Sequence, residues 1–577
     1  MSLSVASSIA LSALKAAQVG ISVTSSNIAN ADVEGYTKKT ATQVSVVTGG
    51  SGSGTAVTSI TGGVDKYVFS ALLSAKSDLG AASVTTTYTD RLQTLMGSTT
   101  GSDDGGTSIA TEISALETAV TTLASSPDDS SAQSGVVSAA DSIASSLRET
   151  SASIQELRSD ADQQIADDVD TINTALNKIA KLNDTIADAQ SRGLSTADLE
   201  DERNTAIASI SDLIDITTTT TSTGSVYIKT TSGTALLTNT VHELSFSASS
   251  SMTATTVTSG ITVDGKDITS TITSGEVGAL LTLRDETLPD AQDELDALAA
   301  QLISVMNEAT ADGSSVPAPD SLTGTTSVAS TDSFSASGTV RIALVDEDGL
   351  LTSYADLDLS SYSTIGDLVD ALDAIDGISA SLTSSGTLSI TSDTSGSGVA
   401  IGALDSSVGS DGQSFSSYFG MNALFNGSGA ADIKVSSSLL ADSGTLPVGT
   451  LSSSVTTTGK SVLASGSTTV ADAMSSALTT KTSYDAVGSI GSTTVSLTDY
   501  ASLVVSANAT RYSDAATAES SAETLESSLE DTLASQSGVN VDEETARLAD
   551  YQSLYSAAAQ IVQIAKEMFE TLLSAVK

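Results

Sequence analysis

The tightest constraint on this chain is an unbroken heptad stripe near its C-terminal end. Leu548, Tyr551, Tyr555, Ala558, Val562, Ala565, Phe569, Leu572 and Val576 alternate steps of three and four, with no Gly or Pro between them. That spacing predicts a helix with one apolar seam. Asn540, followed three residues later by Glu543, reads as a capping-box start. A second line through Leu554, Ile561, Ala565, Met568 and Leu572 makes the apolar face wider than one partner helix covers. Ordering about 30 residues costs roughly 1–2 kcal/mol each in backbone entropy, while burying about eight apolar side chains contributes roughly 1.5–3 kcal/mol each. The helix therefore needs partners on more than one side.

The opposite end carries a matching pattern. Val5, Ile9, Ser12, Ala16, Val19 and Val23 step by four and three, as do Leu11, Leu14, Gln18, Ile21, Ser25 and Ile28. Two amphipathic helices at the two ends predict a coiled coil with apolar surface left over. The expected interface residues are Val5, Ile9, Leu11, Leu14, Val19, Ile21, Val23 and Ile28 on the first helix. On the last they are Leu548, Tyr551, Tyr555, Val562, Phe569, Leu572 and Val576. Gly35 suits a helix stop or a turn. An ordinary intramolecular core would use the same pattern, but chain ends fray unless something ties them down, which favours assembly.

The run Asn27-Ile28-Ala29-Asn30-Ala31, with Glu34-Gly35-Tyr36-Thr37 after it, resembles the N-terminal signature of the bacterial flagellar rod, hook and hook-associated axial proteins. At the other end, Ser537-Gly538-Val539-Asn540-Val541-Asp542-Glu543-Glu544, Tyr551-Gln552, Met568-Phe569 and Leu572-Leu573 resemble the branch of that family seated between hook and filament. Leu199-Glu200-Asp201-Glu202-Arg203-Asn204 and Gly275-Glu276-Val277-Gly278-Ala279-Leu280-Leu281 resemble the same branch. The resemblance covers roughly residues 1–310 and 500–577, and its motif residues are Asn27, Ala29, Asn30, Gly35 and Tyr36. It implies a structural subunit at the hook–filament junction, self-associating in a tubular ring, with no cofactor. Hook protein on one side, hook-associated protein 3 on the other and a flagellar export chaperone on the C-terminal helix are the implied partners. The implied location is extracellular, reached through the flagellar type III apparatus.

Composition narrows the rivals. The chain has 577 residues, and its 23 basic and 70 acidic side chains give a net charge of −47. That balance disfavours nucleic acid and anionic membrane surfaces. Cysteine is absent, so disulfides, thiol catalysis and Cys-ligated zinc are excluded. No run of about 18 residues is continuously apolar, and no cleavable signal peptide is legible, so no membrane segment is expected.

The expected fold class is α+β: a long helical bundle with paired terminal coiled-coil helices and inserted β-rich domains. Residues 1–62 with 536–577 form the expected coiled-coil domain. Residues 63–312 with 435–535 form a helical core domain holding a small β subdomain at about 216–274. Residues 313–434 form a β-rich outer insertion, and 435–497 resist reading. Val44–Val47 reads as a short strand before a flexible Gly49–Gly54 loop. Val136–Arg192 lacks Gly and Pro and predicts a rod of roughly 80 Å, continuous or broken near its middle. Pro289 predicts a kink or restart in a helix over about 276–311.

Catalytic signals are weak. Gly459-Lys460-Ser461 lacks the Gly that a phosphate loop needs at position 454. Asp346-Glu347-Asp348-Gly349 lacks the closing Glu of a calcium loop and reads as a hairpin turn. His242 is the sole histidine, too little for a triad or a His-rich metal site. No enzyme is expected. The competing readings are a hook or distal-rod protein and an acidic surface-layer protein or adhesin.

Overall fold

Long Gly/Pro-poor stretches became long helices. The computed structural model describes residues 3–48, 51–97 and 108–575. Its helices are α1 Leu3–Ala29, α2 Lys66–Met96, α3 Ile109–Ser125, α4 Ser130–Ser191, α5 Ala197–Leu213, α6 Gly275–Thr282, α7 Leu288–Ala311, α8 Ile365–Asp373, α9 Phe415–Phe419, α10 Ser437–Ala441, α11 Thr469–Thr479, α12 Leu497–Ser537 and α13 Val541–Ala575. The chain divides into two compact units, residues 1–88, 159–285 and 513–577 in one, residues 89–158 and 286–512 in the other.

In the first unit α1 pairs with α13, and a hairpin of β1 (Lys39–Thr48) and β2 (Ser51–Gly62) lies on α1. Residues 51–54 continue β2, so the expected flexible loop is largely strand; Gly49 and Gly50 lie outside the described residues. α4 is one unbroken helix of 62 residues. Ile165, Ile172, Leu176, Ile179 and Ile186 give it a fully buried stripe within this unit. β3 (Ile216–Thr220), β4 (Val226–Thr230) and β5 (Ala235–Leu237) form an antiparallel sheet whose central strand, β4, is held at its first residue by a side chain of α4. Asn183 donates to the Val226 carbonyl at 2.9 Å and accepts from its N–H at 3.0 Å, as a strand would. Asn173 holds Leu244 in the same reciprocal way, at 2.8 and 2.9 Å.

The second unit combines helices with most of the remaining strands. α3, which the sequence reading passed over, buries Ile113, Leu116, Val120 and Leu123. α11 packs on α3 and α7. Pro289 restarts the helix as expected: a π-helical turn over Leu283–Thr287 separates α6 from α7, with Pro289 in the first turn of α7. The strand Thr339–Asp346 runs between Leu351–Asp358 and Ser397–Gly402. A second sheet centres on Thr387–Ser392. Asp346–Gly349 is the expected hairpin turn, with the Asp346 carboxylate accepting from the Leu350 N–H at 2.8 Å. One cluster, Ala318, Ala343, Val345, Leu351 and Ala400 with Leu451, Val462 and Leu463, carries the β-rich packing past residue 434.

Candidate functional site

The terminal helices are antiparallel. Gly20 of α1 lies against the ring of Tyr551, and Asn27 bonds Glu544, so α13 numbers rise as α1 numbers fall. A Cβ on Gly20 would sit 2.7 Å from Tyr551 Cε1, so only glycine admits the ring there. The line through these anchors is Ala10, Ala13, Ala17, Gly20, Thr24 and Asn27, again in steps of three and four. All but the half-buried Ala13 are buried.

The residues expected at the N-terminal assembly interface lie beside this line. The large apolar residues flank the seam: Ile9, Leu14, Val19, Ile21, Val23 and Ile28 are half-buried, and Val5 and Leu11 are exposed. The seam itself is made of small residues, because α13 supplies the bulk. Ser12 faces the hairpin, its hydroxyl accepting from the Thr55 N–H at 3.1 Å. α1 is also long and apolar enough, by length and composition, to cross a membrane, which the sequence reading did not anticipate. In this fold α13 and the hairpin cover two of its faces.

On α13 the expected stripe is the seam for most of its length. Ala558 and Ala565 are buried, Leu548, Tyr551 and Val562 half-buried, and Tyr555 exposed. Phe569 and Leu572 lie bare at 47% and 56%, and Val576 lies outside the described residues. The second line is also uncovered: Leu554, Ile561 and Met568 are each about half exposed, at 57%, 49% and 49%.

The motif residues meet in a buried polar node at the Asn27 end. Asn27 donates to the Lys39 carbonyl at 2.9 Å and to Glu544 Oε2 at 2.8 Å. Its Oδ1 accepts from the Tyr36 hydroxyl and the Lys39 N–H, both at 2.9 Å. Asn27 thus ends α1, starts β1 and catches α13 at once. Glu544 is 1% exposed, and its other oxygen lies 3.5 Å from Lys38 Nζ and 3.7 Å from an Arg547 nitrogen. Asp201, from the interior motif, accepts from the Thr37 N–H and hydroxyl at 2.9 and 2.7 Å and is ion-paired to Lys39. Lys38 donates its N–H to the Ser537 carbonyl at 2.7 Å. Three motifs far apart in sequence therefore close on one another.

Their electrostatics follow from this packing. Burial raises the Tyr36 hydroxyl above its ordinary pKa, against hydrogen bonds that lower it. Hydrogen bonding to Lys38 holds Glu543 below the usual carboxylate range. Burial lowers the pKa of Arg203, whose guanidinium donates to Asn183 and to the Gly224 carbonyl.

One expectation changes here and another holds. Asn540 does cap α13, accepting from the Asp542 and Glu543 N–H groups at 3.1 and 3.2 Å. The Glu543 carboxylate turns to Lys38 and Arg547 instead of closing a box. Gly35 is a turn residue at φ +75°, well after the end of α1 at Ala29, and Thr205 packs where its Cβ would be. Ala29 is exposed and stays out of the node, while Asn30 bonds back to the Ser26 carbonyl at 2.9 Å and its side chain also hydrogen-bonds Tyr36. Asp201, Lys38, Lys39 and Glu544 complete it. The interior motif had marked Asp201 without showing what it held.

No group of three His, Asp or Glu side chains placed to hold a metal occurs among the described residues. His242 bonds Asp264 at 2.7 Å on the surface.

Known proteins resemble this chain. Residues 91–321 match the family described as flagellar hook-associated protein FlgK helical domain. Residues 8–37 match flagella basal body rod protein, and 533–575 match flagellar basal body rod FlgEFG protein C-terminal. Both ends and the helical stretch between them are thus similar to proteins of the flagellar axial class. Within that class its relative is hook-associated protein 1. It is 22% identical to flagellar hook-associated protein 1 of Escherichia coli (strain K12) over 309 residues, 52% of this chain and 55% of that one. It is 24% identical over 311 residues to flagellar hook-associated protein 1 of Salmonella typhimurium, with the same coverage. The chain thus spans about half the length of the curated relatives it matches, at 55% of each. The flagellar hook junction protein FlgK of Burkholderia pseudomallei shares the fold, with a TM-score of 0.51 and 17% identity over 80% of this chain and 99% of that one.

Proposed function

We propose that the chain is a structural subunit of the hook–filament junction and assembles through α1 and α13. The uncovered α13 stripe, held rigidly by the Asn27–Glu544 node, carries this reading. Phe569, Leu572 and the half-exposed second line are costly in water and gain cover only from neighbouring subunits. Self-association in a tubular ring is the arrangement that a heterologous apolar surface allows. Hook protein and hook-associated protein 3 are the neighbours on either side, and an export chaperone shields α13 beforehand. The chain works outside the cell, after export by the flagellar type III apparatus, and performs no catalysis. Residues 313–434 and the strands that continue them form an outward-facing part not needed for assembly.

The test is localisation. A tagged full-length chain in flagellated cells belongs at the joint between hook and filament in electron micrographs, one zone per flagellum. Phe569→Asp with Leu572→Asp removes the chain from the joint, and filament subunits are lost to the medium; secretion of the variant is measured separately, because the same face is the one the chaperone shields. Normal joints with the double variant would overturn the assembly role of this stripe.

A further inference from the structure

The free end of α13 has a counterpart within the same unit. A cleft of about 380 Å³ opens beside the node. Val33, Phe69, Leu72, Ala208, Leu533 and Ala534 make its apolar wall. Val33 stands 54% exposed at this cleft, where an incoming side chain would cover it. The one cation of the lining, Lys76, is already held by Glu526 at 2.5 Å and Glu530 at 3.1 Å. The cleft therefore suits an apolar insert and has no open charge for an anionic one.

The end of α13 is such an insert. Met568, Phe569, Leu572 and Leu573 are 47–62% exposed. A chain cannot use its own insert. Ser537 and Gly538, which line the cleft, lead directly into α13. The helix then runs away from them, roughly 50 Å to Leu573 at 1.5 Å per residue.

We propose that this cleft receives the Met568–Leu573 end of α13 from a second copy of the chain. The contact is heterologous, cleft to tip, so a joined pair keeps one free tip and one free cleft and the arrangement propagates. This rests on the reading of the chain as a self-assembling axial subunit and names the surface on which α13 lands.

The test replaces Phe69 with the photo-crosslinker p-benzoylphenylalanine in the full-length chain in flagellated cells. Irradiation is expected to give an adduct of twice the chain mass, with the crosslink in the peptide that contains Leu572. Leu572→Asp with Leu573→Asp in the partner lowers its yield about tenfold or more. An adduct with a different protein, an adduct within one chain, or none where joints have formed overturns the proposal. A second arm needs no flagellum. The chain has no cysteine, so concentrated purified Leu573→Cys and Ala534→Cys chains can be mixed under mild oxidation. A mixed disulfide that neither variant gives alone supports the contact even if the chain proves absent from the joint, which would sink the junction reading separately. Absence of the mixed disulfide, with both variants folded, counts against the contact.

Discussion

Replacing Asn27 with Ala should release α13. Asn27 is fully buried and makes four hydrogen bonds, two to Lys39 backbone groups, one to Glu544 and one from Tyr36. Truncation leaves the Lys39 N–H and carbonyl without these partners, and it strips a donor from a carboxylate that is 1% exposed. Removing one partner of a buried charge costs about 3–5 kcal/mol. Lys38 and Arg547 remain at 3.5 and 3.7 Å from the other Glu544 oxygen, so the low end, about 3 kcal/mol, applies. The assay is hydrogen exchange of the α13 amides in the full-length protein, where that loss reads as about a hundredfold faster exchange over the first half of the helix. Asn27→Asp should be worse, because an aspartate cannot donate and faces Glu544 with like charge. In a Glu544→Ala background the cost of Asn27→Ala should shrink to about 1 kcal/mol, since no buried carboxylate is then stranded. Exchange within a factor of about three of the parent, or additive costs in the double variant, would refute the view that Asn27 holds α13 through Glu544.

Gly20→Ala should weaken the α1–α13 pair by about 1–3 kcal/mol, read as protease sensitivity of both ends, and Tyr551→Ala should restore much of it; an unchanged digestion pattern counts against the close approach. Asp168 is held at a pKa of about 7 by burial first, then by Glu276 and Asp167, against an ordinary 3.8. Its proton is kept in the folded state, so its contribution is full below about pH 4 and is lost as pH rises towards 7, at most about 1.4 kcal/mol per unit and about 1–2 kcal/mol in all after solvent screening. Asp168→Asn should therefore raise Tm at pH 8 relative to the parent and flatten the pH profile between about 5 and 7; parallel profiles for the two proteins dismiss it. Excising residues 314–468 with a short Gly/Ser bridge should leave the helical part folded, because a Cβ on Gly313 would lie 3.0 Å from Val470, so the cut ends are neighbours. Cutting at 434 instead strands Leu451, Val462 and Leu463, and loss of helicity should follow that cut alone, measured by circular dichroism.

Much of the helical frame was legible, for a physical reason. α4 lacks Pro and carries large apolar residues at regular spacing that are buried, so its pattern reports the burial directly, while α13 shows the same spacing with its large side chains half-buried or bare. The α1–α13 contact line was not legible because its residues are Ala, Gly, Thr and Asn, while the larger side chains expected at the assembly interface flank it. Hydrophobicity ranks residues by what they would bury, and here close approach of two backbones decides. α3 was missed despite Ile109, Ile113, Leu116, Val120 and Leu123 standing at helical spacing, a signal that was present and overlooked. Residues 435–497 were opaque because their strands are two or three residues long, too short to show a period. The node was half legible. Asn27, Tyr36 and Glu544 stood in recognisable motifs, but spacing along a chain cannot say that a carboxylate at 201 closes on a lysine at 39.

The Asn27–Glu544 bond joins positions 517 residues apart. A chain threaded out of the cell one residue at a time presents Asn27 long before Glu544 if its N-terminal side leads, or the reverse. In either order the bond waits for nearly the whole polypeptide. A product cut short before residue 544 can still form the 62-residue α4, but it can never complete the clamp that pins α13 to α1. For the assembly proposed here the node would act as a length check, because α13 is pinned to α1 only once residue 544 is present. Proofreading of this kind needs no separate inspector, because the first helix and the last one read each other.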